Sequence, residues 1–363
     1  MKRTLLLSFM VASALAGYAC SSDSTSEPPP TNNPDGSVDT DTGTTPDKDG
    51  GGGTDATTET DGTVPTGNPI EGVGAPTVVA AFSTQYLEGP AWVGNSLYVS
   101  EITVPGNLIQ FSPGAAVGDQ VKLVRTAAAG SIIIGSTPDP KVANNLLSVE
   151  VIDQAAGGSI VRTPVATVPA AGTPIALTTD GGGPPAFDSP NDIVVNKDGV
   201  MYVSDPGYQN PGTVNNHIWR ISATGEVFET VSSNRPNGIA LSPDEKTLYV
   251  SYTDNPSRID KFALGAAGAI GAKTKFVDIS PGNNTADGLA VDTAGNVYCA
   301  VKDGVDVFKP DGTKWGHIPT VAGRAINGIA FGGADKKTLF MTANGGAQGG
   351  LLQVTVKVAG ITQ

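Results

Sequence analysis

Four stretches of the chain open on a polar residue and continue as a short apolar run: Glu88-Gly-Pro-Ala-Trp, Asn191-Asp-Ile-Val-Val, Asn237-Gly-Ile-Ala-Leu and Asp287-Gly-Leu-Ala-Val. Ten to twelve residues after each opening residue, a second apolar run carries an aromatic side chain. These aromatic residues are Tyr98, Tyr202, Tyr249 and Tyr298, and a looser fifth copy pairs Asn327 with Phe340. A register kept this constant indicates an internal repeat.

The distances between the opening residues indicate how many repeats the chain contains. Successive opening residues are 103, 46, 50 and 40 residues apart, so the first gap corresponds to two periods of the length typical of one four-stranded propeller blade. The sequence therefore predicts six blades. The second blade is expected near Asn144 to Val151, where Asn-Asn-Leu-Leu-Ser-Val-Glu-Val is interpreted as its inner strand.

Within each repeat the apolar runs are four to six residues long and are bounded by Gly, Asp, Asn or Pro. Such runs are typical of short strands and are too brief for helices. A second strand pair follows, for example His217 to Ile221 and then Glu226 to Val231, joined by a turn that contains Gly. The predicted fold class is therefore all-β, a six-bladed β-propeller with four-stranded antiparallel blades.

The two ends of the repeat region offer the strands that a propeller needs to close its ring. Thr77 to Phe82 and Leu351 to Val358 both have the composition of strands. Because an open blade would present an unpaired sheet edge, we expect the two segments to share one blade.

The first 20 residues have the organisation of an export signal, with two basic residues after Met1, an apolar stretch over 5–15, and small residues before Cys20. The apolar stretch is short for a membrane-spanning helix. The segment resembles a bacterial lipoprotein signal in which Cys20 is lipidated, and cleavage after Ala16 or Ala19 to release a soluble protein is the alternative. We therefore expect an exported protein, either a cell-envelope lipoprotein of the outer membrane or periplasm or a secreted protein, with a lipid at Cys20 as its only membrane contact.

Residues 21–66 consist almost wholly of Ser, Thr, Pro, Asp, Gly and Asn. A segment of this composition cannot bury a core, so we expect a disordered linker. Residues 67–363 are then predicted to form one propeller domain. The chain has a net charge of −13 and no basic stripe, which disfavours nucleic acid as a partner.

The opening residues are the candidate functional groups. Inner strands line the central channel of a propeller, so residues at the same position of successive repeats meet near its axis. Glu88, Asn191, Asn237 and Asp287 would bring two carboxylates and two amides together, with no His or Cys among them. Oxygen donors of this kind favour Ca²⁺, with Mg²⁺, Mn²⁺ or Zn²⁺ as alternatives. Asn and Asp also cap strands through turn hydrogen bonds, which is the competing structural interpretation.

Other reactive side chains are scarce. The chain has no Gly-x-Ser-x-Gly sequence, and its two histidines, His217 and His317, fall in predicted outer strands, which disfavours a serine hydrolase. Cys20 and Cys299 are the two cysteines, so no structural disulfide is expected. Cys299 follows Tyr298 in a predicted inner strand pair and is expected to be buried and inert.

The ordered series of motifs resembles the regucalcin (senescence marker protein)/gluconolactonase family over roughly Ala75 to Gly360. The motifs are Glu88-Gly-Pro-Ala-Trp, Ser189-Pro-Asn-Asp-Ile with Val203-Ser-Asp-Pro, Arg235-Pro-Asn-Gly-Ile-Ala-Leu-Ser-Pro-Asp, Asp287-Gly-Leu-Ala-Val-Asp and Asn327-Gly-Ile-Ala-Phe-Gly-Gly. That family is similar to the paraoxonases and diisopropylfluorophosphatases, six-bladed propellers with a divalent cation in the channel.

The resemblance implies roles for the opening residues. Glu88, Asn237 and Asp287 would bind the metal, and Asn191 would contact the metal or the substrate. The second blade departs from the family pattern, and the stretch from Ala166 to Pro185 is expected to form a longer loop over one channel mouth.

The function implied is metal-assisted hydrolysis of a cyclic ester such as an aldonolactone. The cation would polarise the carbonyl, and Asp287 would activate water or attack the ester directly. Two alternatives remain open at this point. The first is a noncatalytic propeller, tethered at the envelope, that binds a partner or a glycan. The second is an aryl esterase or phosphotriesterase that uses the same site.

Overall fold

The computed structural model describes residues 65–361 except 85, 117, 180, 211–215, 233, 280–284 and 346–348, and it leaves out the side chains of 229, 230 and 232. These residues belong to one unit that spans Asp61–Gln363. The predicted signal, Cys20 and all but the last two residues of the predicted linker lie outside the described residues. In the described part, no helix has the length and apolar character needed to cross a membrane.

Six antiparallel sheets form the propeller, and each begins with an inner strand and proceeds outward. Blade one contains β2 (Leu87–Val93), β3 (Ser96–Glu101), β4 (Asn107–Phe111) and β5 (Val121–Thr126). Blade two contains β6 (Ser131–Pro138), β7 (Asn145–Ile152), β8 (Gly158–Pro164) and β9 (Thr173–Pro174). Blade three contains β11 (Asp192–Val195), β12 (Met201–Asp205), β13 (His217–Ile221) and β14 (Glu226–Ser232), with β10 (Thr178–Thr179) added in parallel at its outer edge.

The remaining blades keep the same order from the axis outward. Blade four contains β15 (Pro236–Leu241), β16 (Thr247–Tyr252), β17 (Arg258–Leu264) and β18 (Ile270–Asp278), with a single 3₁₀ turn at Ala266–Gly268. Blade five contains β19 (Leu289–Val291), β20 (Val297–Val301), β21 (Gly304–Phe308) and β22 (Lys314–Pro319). Blade six contains β23 (Ala325–Gly332), β24 (Thr338–Asn344), β25 (Gly350–Thr355) and β1 (Thr77–Ala81). The predicted fold class is confirmed.

Two details of the prediction are wrong. The inner strand of blade two is β6, and the segment interpreted as inner, near Asn144 to Val151, forms the second strand β7. The opening position of this blade holds the apolar residue Ile134, so β6 lacks the polar residue by which the other inner strands were identified. The stretch from Ala166 to Pro185 does not simply cover a channel mouth, because it supplies the edge strands β9 and β10 at the outer rim.

The core lies between neighbouring blades and is built from the alternating apolar residues of the strands. The repeat aromatics Tyr98, Tyr202, Tyr249, Tyr298 and Phe340 are all buried. Trp92 of blade one stacks on Phe340 of blade six with 5.4 Å between ring centroids. Each such side chain contributes roughly 1.5–3 kcal/mol through burial, so the repeated aromatic fastens one blade to the next.

The ring closes through the pairing of both ends of the domain in blade six. Strand β1 pairs antiparallel with β25, in the register Thr77 to Gln353 and Ala81 to Gly350. Without β1, the edge of β25 would be unpaired.

We expect deletion of Thr77–Ala81 to abolish the cooperative thermal transition followed by circular dichroism. A truncated protein that still melts cooperatively would contradict this account of closure.

Glycines near the axis let neighbouring inner strands approach each other closely. Gly135 N donates to Asn191 O, and Gly288 N donates to Asn327 O, both at 2.8 Å. At Gly238, a methyl group would come within 2.7 Å of Gly288 Cα and closer still to the Asp287 carbonyl oxygen. The glycine after the opening residue is therefore required by the contact between blades.

Gly238→Ala is predicted to destabilise the propeller by about 2–3 kcal/mol, because neither backbone can move away without disturbing the ring. For a domain of this size, the melting temperature would fall by roughly 4–6 °C, at about 2 °C per kcal/mol. Gly183→Ala is the matched control, since no atom lies within 4 Å of the added methyl group. Equal melting temperatures for the two variants would contradict the prediction.

Candidate metal and active site

The structure brings the four predicted site residues to one place. Glu88, Asn191, Asn237 and Asp287 lie at the openings of the inner strands of blades one, three, four and five, and all four line the same central cavity of about 70 Å³. That volume suits an ion with a few waters better than a large organic group. The register of the repeat therefore placed these side chains correctly, while their roles remain predictions.

Asn327 of blade six also belongs to this constellation. Its Nδ2 donates to Asp287 Oδ2 at 3.1 Å and to the Tyr86 hydroxyl oxygen at 2.9 Å. Its amide also contributes a hydrogen bond that favours ionised Glu88. The sequence identified Asn327 as the fifth copy of the repeat but gave it no role. Its side chain bridges two carboxylate-bearing blades.

Asp192 is a third acidic residue of the channel that the sequence analysis did not single out. In most blades a glycine follows the opening residue, and in blade three Asp192 stands at that position. Its Oδ1 accepts a hydrogen bond from Ile193 N at 2.9 Å, and its Oδ2 accepts one from Ile239 N of blade four at 3.0 Å. The carboxylate therefore joins blades three and four where glycine contacts join the others. The break in the polar-Gly pattern was the available signal.

Buried hydroxyl groups support the opening residues from the second strand of several blades. Ser100 Oγ donates to Ile134 O at 2.8 Å, and Ser251 Oγ donates to Asp287 O at 2.6 Å. The sequence signal is the tripeptide Tyr-Val-Ser, which occurs at Tyr98, Tyr202 and Tyr249. These hydroxyls fix the backbone on which the site is built.

The segment before each opening residue is also held by side chains. In blade three, Asp205 Oδ2 accepts from Asp188 N at 2.8 Å, and Asp205 Oδ1 accepts from Ser189 N at 2.6 Å. In blade one, Asn344 Oδ1 accepts from Leu87 N at 2.7 Å across 257 residues of chain. Asn191 and Glu88 therefore project from backbones that are fixed by buried partners.

Electrostatics in the channel are unfavourable for ionised acids. Burial, followed by the charges of Asp287 and Asp192, raises the pKa of Glu88 well above its ordinary value. Burial also raises the pKa of Asp287 to about 7, with a further contribution from Asp192, and raises the pKa of Asp192 to about 6. No lysine or arginine among the described residues forms an ion pair with any of the three. The channel thus holds three buried acids that form no ion pair with a lysine or arginine of the described chain, although Lys336 also lines the cavity.

The donor set has a specific composition. Two carboxylates, those of Glu88 and Asp287, stand with the amide groups of Asn191 and Asn237. Within the described ranges no three His, Cys, Asp or Glu side chains are grouped as a metal site, so a cation here would depend on amide oxygens as well. Asn237 Nδ2 donates to Thr253 Oγ1 at 2.9 Å, which leaves its oxygen available as a donor to a cation. All-oxygen sets of this kind suit Ca²⁺.

The remaining reactive side chains lie away from the axis. His317 is in the outer strand β22, where its Nδ1 is 2.7 Å from Asp306 Oδ1. His217 begins β13, the third strand of its blade, and its ring lies 5.0 Å from that of Trp219. Cys299 is buried, and burial raises the pKa of its thiol. None of the three lines the central cavity.

Two tyrosines form part of the mouth of the site. Tyr86 lies two residues before Glu88, and the residue is 46% exposed. Tyr208 O–H donates to Thr253 Oγ1 at 2.9 Å, and the guanidinium of Arg235 lies 4.5 Å from the centre of the Tyr208 ring. The mouth therefore combines aromatic surface, hydroxyl groups and one cation above an acidic channel.

A protein-family model covers most of the propeller that carries these carboxylate and amide side chains. The model of the SMP-30/Gluconolactonase/LRE-like region matches residues 88–345. The chain belongs to this family, as the motif series indicated.

Individual relatives agree with that assignment. A gluconolactonase of Zymomonas mobilis is 28% identical over 299 residues, which cover 75% of this chain and 80% of that protein. A pentonolactonase of Haloferax volcanii is 29% identical over 168 residues, covering 44% of this chain and 55% of that protein.

Solved structures give the same fold. A gluconolactonase from Xanthomonas campestris superimposes with a TM-score of 0.62 at 25% identity, covering 78% of this chain and 95% of that one. A calcium-binding regucalcin from Agrobacterium tumefaciens superimposes with a TM-score of 0.63 at 18% identity, covering 80% and 96%. At that lower identity, the second comparison shows the fold alone.

Proposed function

We propose that this protein hydrolyses lactones, with a divalent cation held by the opening residues of the channel. The observation that carries the proposal is the group of largely buried carboxylates, which form no ion pair among the described residues, in a propeller of the SMP-30/Gluconolactonase/LRE-like family. The gluconolactonase and pentonolactonase relatives support a sugar-derived lactone as the substrate class. The competing interpretation, in which these residues only cap strands, does not account for three acids in one cavity.

The residues present fit a hard divalent cation. Glu88 and Asp287 supply two negative charges, and Asn237 with Asn191 supplies neutral oxygens. A buried charge of this size is stable only when it is paired, so a cation would relieve the raised pKa values of the acids. We propose Ca²⁺, and Mg²⁺, Mn²⁺ and Zn²⁺ are the alternatives to test. When bound, such an ion polarises an ester carbonyl and stabilises the negative charge that develops on its oxygen.

The chain's own side chains would carry the proton transfer and the orientation. Asp287 is held by the amide of Asn327, so one carboxylate oxygen has a fixed direction. As base, Asp287 takes a proton from water while the water oxygen bonds to the carbonyl carbon. The bond from that carbon to the ring oxygen then breaks, and the proton held by Asp287 passes to the ring oxygen, which gives the hydroxy acid and restores the carboxylate. Asn191 has no side-chain partner among the described residues and would contact the metal or the substrate.

A first test compares substrates on the purified full chain. The protein would be chelated, checked for residual metal and then given Ca²⁺, Mg²⁺, Mn²⁺ or Zn²⁺. Hydrolysis of an aldonolactone, an aryl ester and a phosphotriester would be followed in parallel. We expect metal-restored turnover of the lactone. Preference for an aryl ester or phosphotriester would replace the substrate class, and bound metal without turnover would indicate a noncatalytic binding propeller.

We further propose that the protein is exported and that Cys20 carries a lipid, with residues 21–66 as a tether. The composition of the first 66 residues supports this proposal. Mass spectrometry of the protein from a native host would test it. A mature protein that begins after Ala16 or Ala19, without a lipid, would favour the secreted alternative.

A further inference from the structure

The two tyrosines at the mouth differ in what their hydroxyl groups do. The Tyr208 O–H donates a hydrogen bond to Thr253 Oγ1 at 2.9 Å, so this hydroxyl already has an acceptor within the protein. The Tyr86 hydroxyl oxygen accepts a hydrogen bond from Asn327 Nδ2 at 2.9 Å, and no described residue accepts a hydrogen bond from the Tyr86 O–H. The Tyr208 hydroxyl therefore donates within the protein, whereas the Tyr86 hydroxyl can donate to a ligand at the mouth.

Asn327 ties this available donor to the reacting centre. The same Nδ2 that donates to Tyr86 also donates to Asp287 Oδ2 at 3.1 Å. The phenol oxygen and the carboxylate oxygen are therefore at most roughly 6 Å apart, because each lies within about 3 Å of one nitrogen. That span accommodates a single ester group, with its attacking water beside Asp287 and one ester oxygen beside Tyr86.

The backbone at Tyr86 is also held in place. Tyr86 O accepts hydrogen bonds from Ile102 N at 3.1 Å and from Thr84 Oγ1 at 3.4 Å. The residue is nearly half exposed, yet its hydroxyl is held by a hydrogen bond from Asn327. A donor that is oriented before the substrate arrives costs little reorganisation during the reaction.

We propose that Tyr86 is a substrate-contacting residue whose hydroxyl donates a hydrogen bond to an ester oxygen of the lactone, and that Asn327 positions both Tyr86 and Asp287 for this contact. The inference rests on the proposed lactone hydrolysis and adds two residues to its machinery. Charge that develops on the ester oxygens during attack strengthens this hydrogen bond, so the contact acts mainly on kcat.

The test compares Tyr86→Phe with the matched control Tyr249→Phe in the full chain with saturating metal. Each variant loses one phenol hydroxyl, but the Tyr249 ring packs against Phe276 of blade four, away from the mouth. We expect Tyr86→Phe to lower kcat by 30-fold or more with KM changed by less than 3-fold, and Tyr249→Phe to change kcat by less than 3-fold. Calcium affinity by calorimetry and the melting temperature should be unchanged in Tyr86→Phe, which separates substrate contact from a structural role.

Two further comparisons make the assignment specific. The fold loss of kcat in Tyr86→Phe should be equal for a polyhydroxylated aldonolactone and for δ-valerolactone, which has no ring hydroxyls. A loss of kcat confined to the aldonolactone would show that Tyr86 binds a substrate hydroxyl, and it would overturn the assignment of Tyr86 to an ester oxygen. Asn327→Leu should lower kcat at least as much, and adding Tyr86→Phe to it should cause less than a 3-fold further loss.

The failures of the two proposals are distinguishable. A wild-type protein that hydrolyses lactones, with Tyr86→Phe retaining kcat within 3-fold, would overturn the role of Tyr86 alone. A metal-loaded wild-type protein that hydrolyses no lactone would overturn the proposed function and this inference together.

Discussion

Asp287→Asn is expected to reduce lactone hydrolysis by about 1,000-fold or more while leaving the propeller folded, because the variant lacks the base and one of the two carboxylates proposed to hold the cation. Asparagine has nearly the same shape, so the contacts of the Asp287 backbone with Ser251 Oγ and Ala300 O remain possible. Initial rates on an aldonolactone, with circular dichroism of the same sample, provide the measurement. Activity within 10-fold of wild type would contradict the assignment.

Asp306→Asn is the matched control for that variant. Asp306 is in strand β21 of the same blade, where it pairs with Lys314 and His317 away from the cavity. The control should lower stability, because it weakens buried ion-paired contacts, and should leave kcat unchanged. The two variants therefore separate chemistry in the channel from packing of blade five.

Removal of the cation is expected to lower the melting temperature by about 8 °C at neutral pH. A ligand present at 1,000 times its dissociation constant stabilises the folded state by about 4 kcal/mol, and each kcal/mol corresponds to roughly 2 °C for a domain of this size. Differential scanning calorimetry with chelator and then with excess Ca²⁺ would measure the shift. Glu88→Gln and Asp287→Asn should show a much smaller shift, since each lacks one proposed anionic ligand.

The same experiment has a defined pH dependence. Burial raises the pKa of Asp287 from 3.8 to about 7 in the metal-free channel. An acid with a raised folded-state pKa binds its proton more tightly when folded, so it destabilises the fold once the pH exceeds the unfolded value. Metal-free protein should therefore lose stability as the pH rises from about 4 to about 7, and Asp287→Asn should reduce this loss. A metal-free melting temperature that rises over this range would contradict the electrostatic account.

The sequence predicted the fold because each blade repeats the same pattern of residues. A polar opening residue, usually followed by Gly, precedes an aromatic residue by ten to twelve positions, and this spacing recurs along the chain. The prediction failed at blade two, where Ile134 replaces the polar residue while Gly135 still supplies the close contact with Asn191. The glycine is missing only in blade three, where Asp192 replaces it, so the polar residue and the glycine together mark all six inner strands.

The site was predicted in part for the same reason. Glu88, Asn191, Asn237 and Asp287 share a register, and shared register places side chains around one axis. Tyr86 was not found because it lies before the repeat unit, and its partner is Asn327, 241 residues away in sequence. Such a contact depends on closure of the ring, which no local pattern encodes.

The most direct test of the central claim is a titration of the chelated full-length protein with Ca²⁺, in which bound metal and lactone hydrolysis are measured on the same samples. We expect hydrolysis to rise in proportion to occupancy and to reach its maximum at one ion per chain. Full activity in protein shown to contain no metal, or full occupancy without hydrolysis of any lactone under any of the four cations, would contradict the account.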